Sequence, residues 1–456
     1  MISRREFATM AAAAAMGPRA LADWFEEDLK DPNPVQVLQR PSPFDPKEKL
    51  SILGLGGVRL PVLSGNLGSQ KDPVDYELSS KMISYAIRHG INFFDTGYFY
   101  HNGDSERFYG YALSKHPRES FHFATKAPPW NISTLADAKR IFQEQLDRCK
   151  MSYFDCYELH SLGREEDYVR TFLKTGALEY YKEEKERGRI RHLGFSFHGR
   201  YKFLERLLEE GWAEVVTILV NGKDWNGVNC SADLYRLIEK HNLPVVVMEP
   251  LCGGNLAHLR PKAHELLQAA APGKTDASWS LRFAAHPKNV MTVLTGFTRF
   301  EHLKENVGTF AADAYRPFTA EEHKVYSEAI RIECGGMQGV ACSGCKYCVP
   351  CPYGVDIPRI FHFWNMRIKW SGLPEANDRP ARRKFLENYY AAFPALRNAS
   401  RCIGCGECAK RCPQWQFTIK DELAKIDDYF RGIERENPDL APPLDESVFA
   451  EGETFP

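Results

Sequence analysis

Between residues 50 and 312 the chain alternates two hydrophobic periods. Short runs rich in β-branched and aromatic residues fall at 51–57, 91–95, 121–126, 154–160, 190–196, 215–221, 244–250 and 290–296, and such runs predict buried strands. Amphipathic stretches lie between them, among them 76–89, 136–150 and 168–186, with the apolar spacing of helices that cover a sheet. Eight strand–helix units over about 250 residues predict a (β/α)8 TIM barrel, an α/β fold. The rival, a doubly wound open sheet, starts on a glycine-rich turn that enters a helix. Leu53-Gly-Leu-Gly-Gly-Val-Arg59 is glycine-rich, yet Leu60-Pro61-Val62 follows it and begins no helix. The barrel is therefore expected over 50–315.

Polar residues fall into place on this scheme. Asp95, Lys126, His160, Ser196 and Asn221 each end a predicted strand, and the C-terminal rim of such a barrel is where chemistry happens. One alone would read as a helix cap or a satisfied core residue. Five in succession point to a site.

Beyond the barrel the pattern changes to cysteine runs. Of 13 cysteines, Cys149, Cys156, Cys230, Cys252 and Cys334 are scattered and read as small core residues. Cys402-Ile-Gly-Cys405-Gly-Glu-Cys408-Ala-Lys-Arg-Cys412-Pro413 has bacterial ferredoxin spacing. Cys342-Ser-Gly-Cys345-Lys-Tyr-Cys348-Val-Pro-Cys351-Pro352 is one residue shorter before its last cysteine. Two [4Fe-4S] clusters are expected. In two-cluster ferredoxins the fourth cysteine of each run serves the other cluster. Cys342, Cys345, Cys348 and Cys412 then group on one, and Cys402, Cys405, Cys408 and Cys351 on the other. Zinc is the alternative, but its CxxC pairs usually stand about 12–20 residues apart. The aromatic stretch 360–370 suits a helix beside the clusters, its rings read as core. A small, mostly α-helical ferredoxin-like domain is expected over 316–430, and the Glu-, Pro- and Asp-rich composition from 431 reads as a surface or disordered tail.

The N-terminus reads as an address. Ser3-Arg4-Arg5-Glu6-Phe7, a short apolar stretch and Ala20-Leu21-Ala22 follow the order of a twin-arginine signal with its cleavage site. The apolar stretch is too short to span a bilayer. Residues 1–22 are expected to be removed after passage through the twin-arginine translocase, giving an exported, periplasmic protein with 23–49 as linker. With 59 basic against 60 acidic residues, no basic surface for nucleic acid is expected.

Several ordered motifs carry a resemblance. Phe94-Asp95-Thr96-Gly97-Tyr98-Phe99-Tyr100 with Ser105-Glu106, Ala124-Thr125-Lys126, Asp155-Cys-Tyr-Glu-Leu-His160, Gly188 to Ser196, Glu249-Pro250-Leu251 and Glu305-Asn306 resemble the aldo-keto reductases across the barrel. With its cysteine runs, the whole chain resembles the ferredoxin-bearing branch of that family. The resemblance implies catalysis by Asp95, Tyr100, Lys126 and His160. It also implies an NAD(P) site at Ser196, Asn221, Pro250, Leu251, Gly296, Thr298, His302, Glu305 and Asn306. Phe197 stands where an asparagine is usual, Thr217 where glutamine often is, and His302 where many relatives carry arginine for a 2′-phosphate.

The chemistry of the four residues can be argued on its own. Hydride reduction of a carbonyl needs a proton donor, and a tyrosine with an ordinary pKa of about 10 is a weak one at neutral pH. Lys126 is expected to lower that pKa, Asp95 to hold Lys126, and His160 to orient the carbonyl oxygen. Tyr100 is then the general acid, with Tyr98, two residues away, as its competitor. The leading expectation is an exported oxidoreductase interconverting a small carbonyl and an alcohol, a sugar-like one being a candidate. Its clusters serve electron relay, with a redox partner protein, or structure. The alternative is a non-catalytic redox-sensing or electron-carrier protein on the same barrel. A third reading supplies electrons from the clusters alone.

Overall fold

The structure, a computed structural model, describes residues 28–66, 68–227, 231–335, 339–340, 342, 348–412 and 418–440. The signal segment 1–22, Cys230, Cys345 and the end of the tail, 441–456, lie outside the described residues. The chain divides into two compact units, one of Met1–Gly222, Ser231–Leu259 and His264–Tyr326, the other of Lys223–Cys230, Arg260–Ala263 and Ser327–Pro456.

In the first unit an antiparallel hairpin, β1 (Gln39–Pro41) and β2 (Lys49–Ser51), precedes the eight strands expected. These are β3 (Leu53–Gly56), β4 (Phe93–Asp95), β5 (His122–Ala127), β6 (Phe154–Leu162), β7 (Ile190–Phe197), β8 (Val215–Leu219), β9 (Val245–Met248) and β10 (Val290–Thr295). They close into a parallel barrel in the order β10-β3-β4-β5-β6-β7-β8-β9. Part of the segment expected as linker is thus built into the fold. Leu50 of the hairpin, with Phe44 packed alongside, joins Phe93, Ala124, Cys156, Val215 and Met291 in one buried cluster. Phe44 also stacks on His192, centroids 3.6 Å apart. Such an apolar plug fills one layer of the barrel and leaves polar chemistry to layers nearer the C-terminal rim.

Local chemistry sets the helix ends. Leu135–Cys149 starts one residue before its expected boundary because Thr134 and Asp137 form a reciprocal capping box. The single helix expected over 168–186 is instead Glu165–Tyr168, a wider turn over Val169–Leu173, and Ala177–Glu186. Gly176 with φ +77° and Thr175, whose hydroxyl bonds the Thr171 carbonyl at 2.5 Å, interrupt it.

In the second unit Ile357–Ser371, Arg379–Ala392 and Ile419–Glu436 pack around Trp364, Phe385, Tyr389 and Phe430. Tyr389 and Phe430 stack at 3.7 Å. Asn365 accepts from Val340 N at 2.8 Å and donates to Val340 O at 2.7 Å, so a buried amide pins the chain just before the first cysteine run. The tail expected from 431 begins later: the last helix buries Ile433, and Arg382 and Arg383 pair with Glu436 and Asp439.

Candidate active site

Asp95 is the last residue of β4, and Lys126 is next to last on β5. Both side chains are buried, and Lys126 Nζ donates to Asp95 Oδ2 at 2.5 Å and to the Thr96 carbonyl at 2.8 Å. The ammonium also lies 5.6 Å from the centre of the Tyr100 ring. The Tyr100 hydroxyl stands 3.3 Å from His160 Nε2. The four residues expected to form a site are therefore brought together by two adjacent strands, one loop and β6.

The loop holding Tyr100 is pinned from several sides. His101 and Asn102 adopt left-handed φ of 51° and 55°, conformations that persist only when surroundings impose them. His101 Nε2 accepts from Leu60 N at 3.3 Å. Ser105 Oγ donates to the Gly57 carbonyl at 2.9 Å. A Cβ at Gly57 would lie 2.4 Å from that same Oγ, so the close approach demands glycine. Arg148 donates to the Tyr98 carbonyl at 3.1 Å. Tyr98 itself donates to Glu144 at 2.9 Å under the Arg148 guanidinium, away from the other three groups.

His160 stands near the end of β6, where a register shift falls between Leu159 and Leu162. Ser161 takes φ +56°, and its N–H donates to Ser196 Oγ at 2.7 Å. Phe99 stacks on His160 at 5.4 Å and Trp130 meets its edge at 5.6 Å. Trp130 is 63 % exposed, so one of the rings beside the buried imidazole faces solvent.

Burial dominates the electrostatics. It pushes the Asp95 carboxyl up against the pull of Lys126. It opposes the Lys126 charge, but Asp95, Tyr100 and Glu158 outweigh it and leave that ammonium raised. Burial, and then the Lys126 charge, hold His160 well below the usual imidazole range. Tyr100 departs from expectation: burial pushes its phenol up to about 12, Lys126 pulls down, and Asp95, Glu158 and Glu249 push up. In a water-poor site the cost of a phenolate exceeds what one cation returns.

The expected nicotinamide contacts are placed as follows. Ser196 is buried and tied to the Ser161 backbone. Buried Asn221 donates to the Glu249 carbonyl at 3.0 Å. Pro250 and Leu251 follow β9, and Gly296 and Thr298 follow β10. His302, Glu305 and Asn306 lie on Phe300–Thr309, where Glu305 accepts from the Thr275 hydroxyl. The sequence reading did not single out Arg59. Its aliphatic stem lies against Gly296, where a Cβ would come within 3.0 Å of the Arg59 Cβ, and its guanidinium lies beside Gly68. Its signal was its place at the end of the glycine-rich Leu53–Arg59 run.

The second unit carries the two cysteine runs. Cys351, Cys402, Cys405 and Cys408 line one cavity together with Gly404 and Lys420. The ferredoxin pattern groups the same four cysteines on one cluster. Among the described residues no three His, Cys, Asp or Glu converge on a single ion; a cubane spreads its ligand sulfurs around its faces and needs no such convergence. Of the other set, Cys345 lies outside the described residues.

Comparison with known proteins is decisive at the family level. The aldo/keto reductase family matches residues 64–329, more than half of the chain. The chain belongs to the aldo/keto reductase family. A 4Fe-4S dicluster domain matches residues 341–417, so this oxidoreductase joins a reductase barrel to an iron–sulfur module. It is 26 % identical over 302 residues to an uncharacterized oxidoreductase of Bacillus subtilis (strain 168), covering 59 % of this chain and 93 % of that protein. It is 26 % identical over 288 residues to L-galactose dehydrogenase of Arabidopsis thaliana, covering 57 % of this chain and 88 % of that protein. The aldo-keto reductase of Bacillus halodurans in its holo form superposes with a TM-score of 0.52 at 23 % identity, covering 65 % of this chain and 96 % of the other. An aldo-keto reductase of Klebsiella pneumoniae in complex with NADPH gives 0.52 at 20 % identity, covering 67 % and 98 %. These likenesses support the fold.

Proposed function

We propose that this oxidoreductase interconverts a small carbonyl compound and its alcohol using a nicotinamide hydride carrier, with Asp95, Tyr100, Lys126 and His160 as its catalytic set. The observation that carries the reading is the placement of Tyr100, its hydroxyl 3.3 Å from His160 Nε2 and its ring beside the Lys126 ammonium. Bound nicotinamide would supply the hydride that forms the new C–H bond. His160, kept neutral, orients the carbonyl oxygen. Tyr100 breaks its O–H bond to protonate that oxygen, and Lys126, anchored by Asp95, stabilises the phenolate until solvent returns a proton. Arg59, Thr298 and the N-terminus of Phe300–Thr309 suit the anionic phosphates of a dinucleotide.

Cys351, Cys402, Cys405 and Cys408 fit one [4Fe-4S] cluster, and Cys342, Cys345, Cys348 and Cys412 are assigned the other. Such clusters supply one-electron chemistry or staple the domain. Export by the twin-arginine route completes the reading; no helix among the described residues is long and apolar enough to cross a membrane. One observation favours a non-catalytic redox module instead: Thr217, where relatives often carry glutamine, spends its hydroxyl on Glu158. Anaerobic titration of the iron-loaded protein with NADH and NADPH separates the two. Saturable binding of either nucleotide supports the enzyme; an intact cluster spectrum with no nucleotide binding supports the module.

A further inference from the structure

Glu158 is a buried acid to which the catalytic scheme assigns no role. Side chains alternate along β6, so Cys156, Glu158 and His160 share one face. Cys156 belongs to the buried cluster that includes Phe93, Ala124 and Val215, and His160 belongs to the site, which places Glu158 one layer beneath it. Glu158 is paired in register with Lys126 on β5 and with Gly194 on β7. Its Oε1 accepts from Thr217 Oγ1 on β8 at 2.5 Å. Its Oε2 is buried without a hydrogen-bond partner. The groups acting on it are Lys126, Asp95 and Thr217, with Cys156 and His160 on its own strand and no side chain from Gly194.

An unpaired buried carboxylate oxygen is costly to charge. Two carboxyls, Asp95 and Glu158, also share a single ammonium, and Asp95 holds the short bond to it. The second carboxyl is therefore the one that retains a proton. We propose that Glu158 is a proton-switching positioning residue: it is neutral when the site is ready to reduce, and its ionised form makes Tyr100 a weaker acid. The electrostatics agree in direction, since burial raises Glu158 to about 7 and Glu158 in turn raises Tyr100. The proton it loses goes to solvent, and no bond to carbon changes. The inference deepens the carbonyl-reductase reading of the same site.

The test needs no turnover, so a failed reductase assay does not decide it. Infrared difference spectra of the full iron-loaded chain are recorded across pH. A protonated-carboxyl band that disappears near neutrality in the wild type and is missing in Glu158→Gln is expected. In Thr217→Val, which removes a bond that favours the charged form, that loss should move to higher pH. The phenolate band of Tyr100, identified by its absence in Tyr100→Phe, should begin at a pH lower by about one unit in Glu158→Gln. A wild type with no such carboxyl band overturns the proton-holding role. An unmoved phenolate onset in a folded Glu158→Gln protein overturns the link to Tyr100.

Discussion

Tyr98 and Tyr100 stand two residues apart in one loop and are committed to different partners: Tyr98 donates to Glu144 on a helix, while Tyr100 sits 3.3 Å from His160 Nε2. The difference predicts opposite phenotypes. Tyr100→Phe should lower kcat for aldehyde reduction about 10²–10⁴-fold, the usual contribution of a positioned acid. Tyr98→Phe should keep turnover and lose about 1 kcal/mol of stability with its hydrogen bond. Steady-state kinetics and urea unfolding on both variants check this, and the reverse pattern would exchange their roles.

Asp95→Asn removes the carboxylate bonded to the buried Lys126 ammonium and leaves only the Glu158 carboxyl to act on it. Breaking a buried pair on one side costs about 3–5 kcal/mol, so the midpoint of chemical unfolding should drop clearly. Turnover should fall at the same time because Lys126 is no longer held beside Tyr100. A variant of wild-type stability would show that the pair is not buried as described.

Glu158 makes stability depend on pH with a definite sign. Its folded value, pushed up by burial to about 7, exceeds the ordinary value of 4.5. Its contribution to stability is therefore fully present below about 4.5 and is lost as pH rises through about 7. Relative to wild type, Glu158→Gln should gain thermal stability across that window and show a constant difference above it. A difference in Tm that stays flat from acid to alkaline pH refutes this.

The cavity shared by Cys351 with Cys402, Cys405 and Cys408 predicts an iron phenotype that crosses the two runs. Cys351→Ser should disturb the same cluster as Cys405→Ser, with roughly half of the iron at risk. Cys412→Ser should disturb the other cluster. Iron analysis with electron paramagnetic resonance of the reduced proteins reads the pairing. Identical signals from Cys351→Ser and Cys412→Ser would contradict it.

If the exposed Arg59 guanidinium, whose stem lies against Gly296, reaches the dinucleotide, it makes a phosphate contact. Arg59→Ala should weaken NADPH binding about tenfold, the loss of one charge-assisted hydrogen bond to phosphate. Binding of an unphosphorylated nicotinamide fragment should be unchanged. Equal affinity of wild type and variant for NADPH in calorimetry rules the contact out.

Strand periodicity and cysteine spacing are local properties, and both were readable along the chain. All eight barrel strands were anticipated within a few residues, because a buried parallel strand is an uninterrupted apolar run between breakers. Asp95, Lys126 and His160 were legible because strand ends map to the rim. That Cys351 belongs with the second run is an expectation from a spacing rule, and it lines a cavity with Cys402, Cys405 and Cys408. What sequence alone could not decide was direction and depth. The opposed commitments of Tyr98 and Tyr100 come from left-handed turns at His101 and Asn102 and from Arg148, which lies 50 residues from the Tyr98 carbonyl it binds. The raised Tyr100 phenol reflects how completely the barrel excludes water, which no motif encodes. Glu158 read as one letter of a strand until closure of β5, β6 and β8 placed it between Lys126 and Thr217. A charge's free energy depends on its surroundings in three dimensions, and those were set only when the barrel closed.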